Sequence, residues 1–162
     1  MSSPLVSIII PSFDRFDYLM NAVESVLSQD YKNFEIIIVN DASQQKEYYE
    51  YDLPKKVKKI DLGIGLKHKH GFPTDAVRNE GARISQGKYL AFLDDDDIWL
   101  PSKLSIQVES LESKKHKLSS TEGYFGEGVF NRDIKYPLYN KEKFYKKIKK
   151  RYKSTPFHRN FH

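Results

Sequence analysis

The sequence predicts an α/β domain: a mainly parallel, Rossmann-like sheet flanked by helices. Three observations predict it. Short apolar, largely β-branched runs at residues 5–10, 34–39, 57–62 and 89–93 alternate with segments of helical periodicity. The runs lack the apolar-polar alternation of a strand with one wet face, so they read as strands covered on both sides, as parallel strands usually are. Polar clusters, rather than two-residue hairpin turns, follow three of the four runs, and parallel neighbours need right-handed crossovers through the intervening helices.

The first run is closed by Pro11, and Phe16, Leu19, Ala22, Val23, Val26 and Leu27 then repeat at helical spacing. The second run ends at Asn40-Asp41-Ala42-Ser43, a polar turn. Gly63, Gly65 and Gly71 loosen the stretch after the third run, but their spacing is not a dinucleotide fingerprint, which excludes a Rossmann cofactor site. Thr74 is the expected cap of a helix over 74–85 that stops near Gly87. Residues 89–93 read as a central strand. Pro101 suits the first turn of a further helix, with Leu104, Val108 and Leu111 facing inward and Trp99 in the core just ahead of it. Beyond Leu118 the pattern weakens: Gly123, Gly126 and Gly128 suggest short strands or a hairpin over 119–130, and 140–152 reads as helical.

A chain of 162 residues suits one domain with a real core. It has no cysteine, so disulfides and thiolate metal sites are excluded and oxygen or histidine ligands remain. No apolar run approaches the roughly 20 residues that span a bilayer, and a soluble, cytoplasmic protein is the expectation. The net charge of +5 hides an asymmetry. Residues 1–113 carry 13 Lys and Arg against 18 Asp and Glu, net −5, while 114–162 carry 14 against 4, net +10. The basic segment 141–153, interleaved with Phe144, Tyr145 and Tyr152, reads as a solvated amphipathic helix, the alternative being contact with anionic lipid, nucleic acid or an acidic partner. The acidic first part argues against nucleic acid as the main ligand.

The chemistry concentrates in residues 94–97, four consecutive aspartates directly after a strand. Four adjacent carboxylates repel one another, so something cationic must offset them, and a hard divalent ion is the natural candidate. In an extended segment Asp94 and Asp96 point to the same side. The structural alternative is a cluster favoured by a helix N-terminus, a gain of about 0.3–1 kcal/mol per charge that is small for four together. Ligands of parallel α/β sheets bind beyond the carboxyl ends of the strands. Residues 11–14, 41–43 and 94–97 all follow strands, and all three should therefore face one cleft.

Four ordered motifs carry a resemblance: Val6-Ser7-Ile8-Ile9-Ile10-Pro11-Ser12-Phe13; Val39-Asn40-Asp41-Ala42-Ser43; Ala76-Val77-Arg78-Asn79-Glu80-Gly81-Ala82 followed by Gly87-Lys88-Tyr89; and Asp94 to Asp97 with Trp99, Pro101 and Lys103-Leu104. Together they resemble family 2 glycosyltransferases of the GT-A fold, over roughly the first 115 residues. The resemblance implies a UDP-sugar donor, transfer to an acceptor hydroxyl with inversion, and Mn²⁺ or Mg²⁺ as cofactor. It makes Asp96 the principal metal ligand with Asp94 beside it or nearer the ribose, and Asp95 a member of the nucleotide-sugar site. Asp41 would accept from the base, an Asx-turn being its structural alternative, and Pro11, Ser12 and Phe13 would wall the base. Arg78 would approach the diphosphate or fix Asp41 or the acidic run, a surface helix ion pair being its structural alternative. Asp14 would lie beside the cleft or cap the first helix.

The resemblance divides the chain into a donor-binding core, 1–118, and a partial acceptor-side region, 119–162, taken as truncated. Family members place an acceptor-side base in a Glu-Asp pair well after the metal motif, and no such pair occurs in 114–162. Glu122 is the best local substitute. Binding without turnover is the alternative function. The acceptor, a glycan, protein or lipid-linked sugar, and the oligomeric state are not legible. His158 and His162, four apart, offer a further metal ligand or are surface histidines; His68 and His70 receive no role.

Overall fold

The computed structural model describes residues 3–66, 73–124, 126, 131 and 133–138, with Pro73 and Thr74 described in backbone only. The chain divides into two compact units, Met1–Ser119 and Ser120–His162. Within the first, four strands, β1 (Val6–Ser12), β2 (Phe34–Asn40), β3 (Val57–Asp61) and β4 (Tyr89–Phe92), form a parallel sheet in the order β3-β2-β1-β4. Four helices accompany them: α1 (Phe16–Leu27), α2 (Glu47–Glu50), α3 (Pro73–Ile84) and α4 (Lys103–Lys114).

All seven residues of β1 and of β2 are buried, as their unbroken apolar runs require. One face of the sheet packs Ile8, Ile10, Ile36 and Ile38 against Phe16, Leu19, Val23 and Val26 of α1, with Trp99 and with Leu104 and Val108 of α4. The opposite face packs Ile9, Ile37 and Val39 against Val77 of α3. Each of these side chains contributes on the order of 1.5–3 kcal/mol through burial. Gly81 permits the close seating of α3: a Cβ there would lie 2.6 Å from Ile9 Cγ2 and 3.0 Å from Val39 Cγ2.

Several expectations need correction. β1 does not close at Pro11 but runs through it to Ser12, in register with Val39 and Asn40 of β2. The residues of a parallel strand bond alternately to either side, and Leu93 N–H donates to Ile9 on the β4 side. Pro11 therefore lacks its N–H on that side, where the β4 pairing has already ended at Ile9↔Phe92. Residues 89–93 do not form a central strand covered on both faces. Within the described sheet β4 is an edge, and Leu90 and Phe92 are 46% and 51% exposed. α3 begins at Pro73, ahead of the expected cap Thr74. α4 begins at Lys103, so Pro101 belongs to the turn before it, and residues 94–97 do not sit on its first turn. The helix-dipole account of the acidic run falls with that finding.

In the second unit an isolated antiparallel bridge joins Tyr124 to Leu138. The helix expected over 140–152, the basic segment, His158 and His162 lie outside the described residues, as do His68 and His70. Among the described residues no helix is long and apolar enough to cross a membrane.

Candidate functional site

β1 lies between β2 and β4, so successive strands run first to one side of it, to β2 and β3, and then return on the other at β4. Such a switch point leaves a crevice at the carboxyl ends of the strands. The three polar clusters meet at this edge. Asp41 N–H donates to Ser12 O at 2.9 Å, which joins the β2 end to the β1 end. Ser12 Oγ donates to Asp95 Oδ2 at 2.8 Å, which joins β1 to the acidic run. Asp14 N–H donates to Ser43 Oγ at 3.0 Å. Two non-glycine residues here adopt positive φ, Asp14 at 50° and Ala42 at 61°, a conformation that short polar residues tolerate best and that alanine tolerates less well.

Asp14 does not cap α1. Its Oδ1 accepts from the N–H groups of Gln44 and Gln45, at 2.6 and 3.3 Å, and holds the turn that leads to α2. The first residue ahead of α1 is Arg15, which makes no side-chain cap. Asp41 is buried, and its Oδ1 accepts from Leu66 N–H at 2.6 Å, so its carboxylate fixes the glycine-containing loop after β3. Pro11 and Ser12 are buried and Phe13 is partly exposed.

The four carboxylates of the acidic run differ in surroundings. Asp95 is 7% exposed. Burial pushes its pKa above the ordinary aspartate value, against the hydrogen bond from Ser12 and the charge of Arg15, with Asp96 adding to the rise. Asp94 and Asp96 are exposed and lie against separate arginines. Arg78 of α3 pairs with Asp94 and reaches Asp75 at 3.4 Å, and Arg15 pairs with Asp96 at 2.6 Å and Asp95 at 3.5 Å. Partial desolvation and then the charges of Asp96, Asp94 and Asp95 raise the pKa of Asp97. Among the described residues the cations beside this run are two arginines of the chain itself. The repulsion alone does not demand a bound metal, which corrects the argument from charge.

Two participants were not legible in the sequence, Arg15 and Tyr48. Tyr48, on the single-turn helix α2, is 2% exposed, and its hydroxyl bonds Ser12 Oγ while accepting from Arg15 N–H at 3.1 Å. Burial raises its pKa, so the phenol keeps its proton at neutral pH. Ser12 already gives its hydrogen to Asp95, and Tyr48 therefore donates to Ser12. The result is a directional chain from Tyr48 through Ser12 to Asp95 that preorganises the floor of the crevice.

Glu122 is exposed in the second unit. Trp99 is a core residue, 8% exposed, with Lys103 Nζ 4.0 Å from its ring centroid. Among the described residues no three His, Cys, Asp or Glu side chains come together as a metal cage. The described residues fit an ion that takes one or two carboxylates from the protein and the rest of its shell from substrate phosphates and water, as Mg²⁺ and similar hard ions do. Asp94 and Asp96 are suitable donors for it.

A family model described as Glycosyl transferase family 2 matches residues 7–162. The chain belongs to glycosyltransferase family 2. It is 40% identical over 111 residues to the Escherichia coli UDP-Glc:alpha-D-GlcNAc-diphosphoundecaprenol beta-1,3-glucosyltransferase WfaP, covering 68% of this chain and 43% of that one. It is 38% identical over 122 residues to the Bacillus subtilis putative teichuronic acid biosynthesis glycosyltransferase TuaG, covering 75% and 47%. Among solved structures, S. aureus TarS 1-349 in complex with UDP-GlcNAc superposes with a TM-score of 0.55 at 23% identity, covering 67% of this chain and 31% of that one. The fold is therefore that of the GT-A glycosyltransferases. The matched segment takes up between 16% and 53% of the length of the curated relatives compared.

Proposed function

We propose that this family 2 chain binds a UDP-sugar at the β1/β4 crevice and serves inverting transfer of the sugar to an acceptor hydroxyl, with Mn²⁺ or Mg²⁺ as cofactor. The observation that carries the reading is the convergence of Asp41, Ser12 and the acidic run at the carboxyl ends of three adjacent parallel strands, at the switch point of the sheet. The names of the family relatives support a transferase, and the UDP-Glc in the name of WfaP supports a uridine donor.

The residues divide the work by position. Pro11, Ser12 and Phe13 line the base side, and Asp41, a carboxylate at the carboxyl end of β2 whose Oδ1 accepts from Leu66 N–H, accepts from the uracil N3–H. Asp94 lies nearer the ribose and Asp96 is the principal metal ligand. A bound divalent ion would supply positive charge where the diphosphate leaves. Arg78, held against Asp94 from α3, fixes the acidic run from the side and adds a second positive charge. Asp95 is the buried support on which these groups rest.

Inversion requires a carboxylate that takes the acceptor proton on the face opposite the diphosphate. Glu122 is our candidate within this chain. A second reading, nucleotide-sugar binding without turnover, rests on the lack of a Glu-Asp pair in residues 114–162. Titration calorimetry with UDP, CDP and GDP, with Mn²⁺ or with chelator, tests the donor site. UDP should bind best, metal should strengthen binding, and Asp96→Ala should remove the metal effect while Asp97→Ala weakens it less. Equal binding of all three bases, or an unchanged metal effect in Asp96→Ala, would refute the assignment.

A further inference from the structure

Arg15 and Arg78 neutralise the same acidic run but are held in different ways. Arg78 rises from a helix, its side chain is 24% exposed, it bridges Asp75 and Asp94, and its Nε is buried with no hydrogen-bond partner among the described residues. It is packed in place. Arg15 sits in the bend between β1 and α1, with non-helical φ −140° and ψ 46°. Its backbone is pinned through the N–H that donates to Tyr48, but its side chain is 52% exposed. The root is fixed and the head, unlike that of Arg78, is largely open to water.

The head occupies a contested position. Its Nη1 lies 2.6 Å from Asp96 Oδ2 and 3.5 Å from Asp95 Oδ1. A divalent ion on Asp96 would place two positive charges where the guanidinium now lies, and like charges at that separation repel strongly. The arriving diphosphate meanwhile offers several oxygens to a planar fork that matches phosphate geometry.

We propose that Arg15 is a displaceable counter-ion of the donor site: its guanidinium holds Asp96 and Asp95 in the nucleotide-free protein, releases Asp96 to the metal, and turns to the diphosphate. The proposal rests on the donor-site reading above. It gives the site two linked properties. Metal alone binds weakly because it must displace Arg15, and metal with nucleotide binds well because the displaced charge finds a new partner.

The test uses the full chain, its Arg15→Gln and Arg15→Lys variants, and two titrations. Free Mn²⁺ is followed by electron paramagnetic resonance without nucleotide, and UDP is followed by calorimetry in chelator. Arg15→Gln should bind Mn²⁺ alone about two- to fivefold more tightly, the scale of one exposed ion pair, and should bind metal-free UDP about three- to tenfold more weakly. Arg15→Lys should return both values toward wild type. Opposite signs are the signature, because mere loss of structure would weaken both. If wild type binds UDP with metal but Arg15→Gln binds Mn²⁺ no more tightly, or binds metal-free UDP as well as wild type does, the counter-ion role is overturned and the donor site stands. If wild type binds neither UDP nor Mn²⁺ with UDP present, both fall.

Discussion

Ser12 Oγ donates to Asp95 Oδ2 across the switch point of the sheet at 2.8 Å, between residues 83 apart in sequence. This bond ties the end of β1 to the acidic run and supports the one buried carboxylate there. Ser12→Ala removes the donor from a buried anion and leaves Tyr48 without its acceptor. The expected cost is about 1–3 kcal/mol in urea unfolding, with weaker UDP binding because Asp94 and Asp96 flank the disturbed residue. Ser12→Thr, which keeps the hydroxyl, should recover most of the binding. An Ala variant as stable as wild type would show that the network does not brace the crevice.

Gly81 offers a test in which the ordinary helix rule and the packing give opposite signs. Glycine to alanine inside an exposed helix stabilises by roughly 0.8–1 kcal/mol. Here the new methyl would meet Ile9 Cγ2 at 2.6 Å, and α3 must move away from the sheet. We expect Gly81→Ala to destabilise by about 1–3 kcal/mol. Since α3 carries Arg78, the shift should also weaken nucleotide binding, as calorimetry on the folded variant would register. Increased stability would mean that α3 is not seated as described.

The Ile-rich β1 and β2 were legible because a run apolar on every residue has only one comfortable place, between two covered faces. The same inference failed for β4, since Tyr89-Leu90-Ala91-Phe92 is apolar throughout although Leu90 and Phe92 are exposed in the described sheet. Composition does not reveal what covers a strand. The alignment of the three polar clusters was legible because a parallel sheet sends every carboxyl end to one edge. Arg15 and Tyr48 were not, because Arg15 pairs with an aspartate 81 residues away and α2 is a single turn with no periodicity to read. Local patterns carry no record of such partners.

Lys103 gives a pH dependence with a definite sign. Burial beside Trp99 lowers its pKa from the usual 10.5 to about 8. Between these values the unfolded chain holds a proton that the folded chain has lost, so stability should rise as pH increases from about 8 toward 10.5. The full interval corresponds to roughly 3 kcal/mol, and screening of a side chain that remains partly in water reduces this to about 1 kcal/mol. Lys103→Met removes the titration. Denaturant unfolding of both proteins should show the variant ahead by about 1 kcal/mol at pH 7, with the gap closing above pH 9. A gap that does not change with pH would place the shift elsewhere.

Glu122 decides between transfer and binding alone. It is exposed in the second unit, where an incoming hydroxyl can reach its carboxylate. If it is the acceptor-side base, this chain should release UDP from a UDP-sugar faster when an acceptor is present. Glu122→Gln should then remove that stimulation, a loss of about 10²–10⁴-fold, while UDP and metal affinity stay as in wild type because the donor residues are untouched. If the base is not in this chain, release should be slow, indifferent to acceptor and equal in Glu122→Gln, because water attacking the donor needs no positioned acceptor. A coupled assay of nucleoside diphosphate release, run on both proteins with and without sugar acceptors, separates the two cases. Strong acceptor stimulation that survives Glu122→Gln would exclude Glu122 and point to another carboxylate.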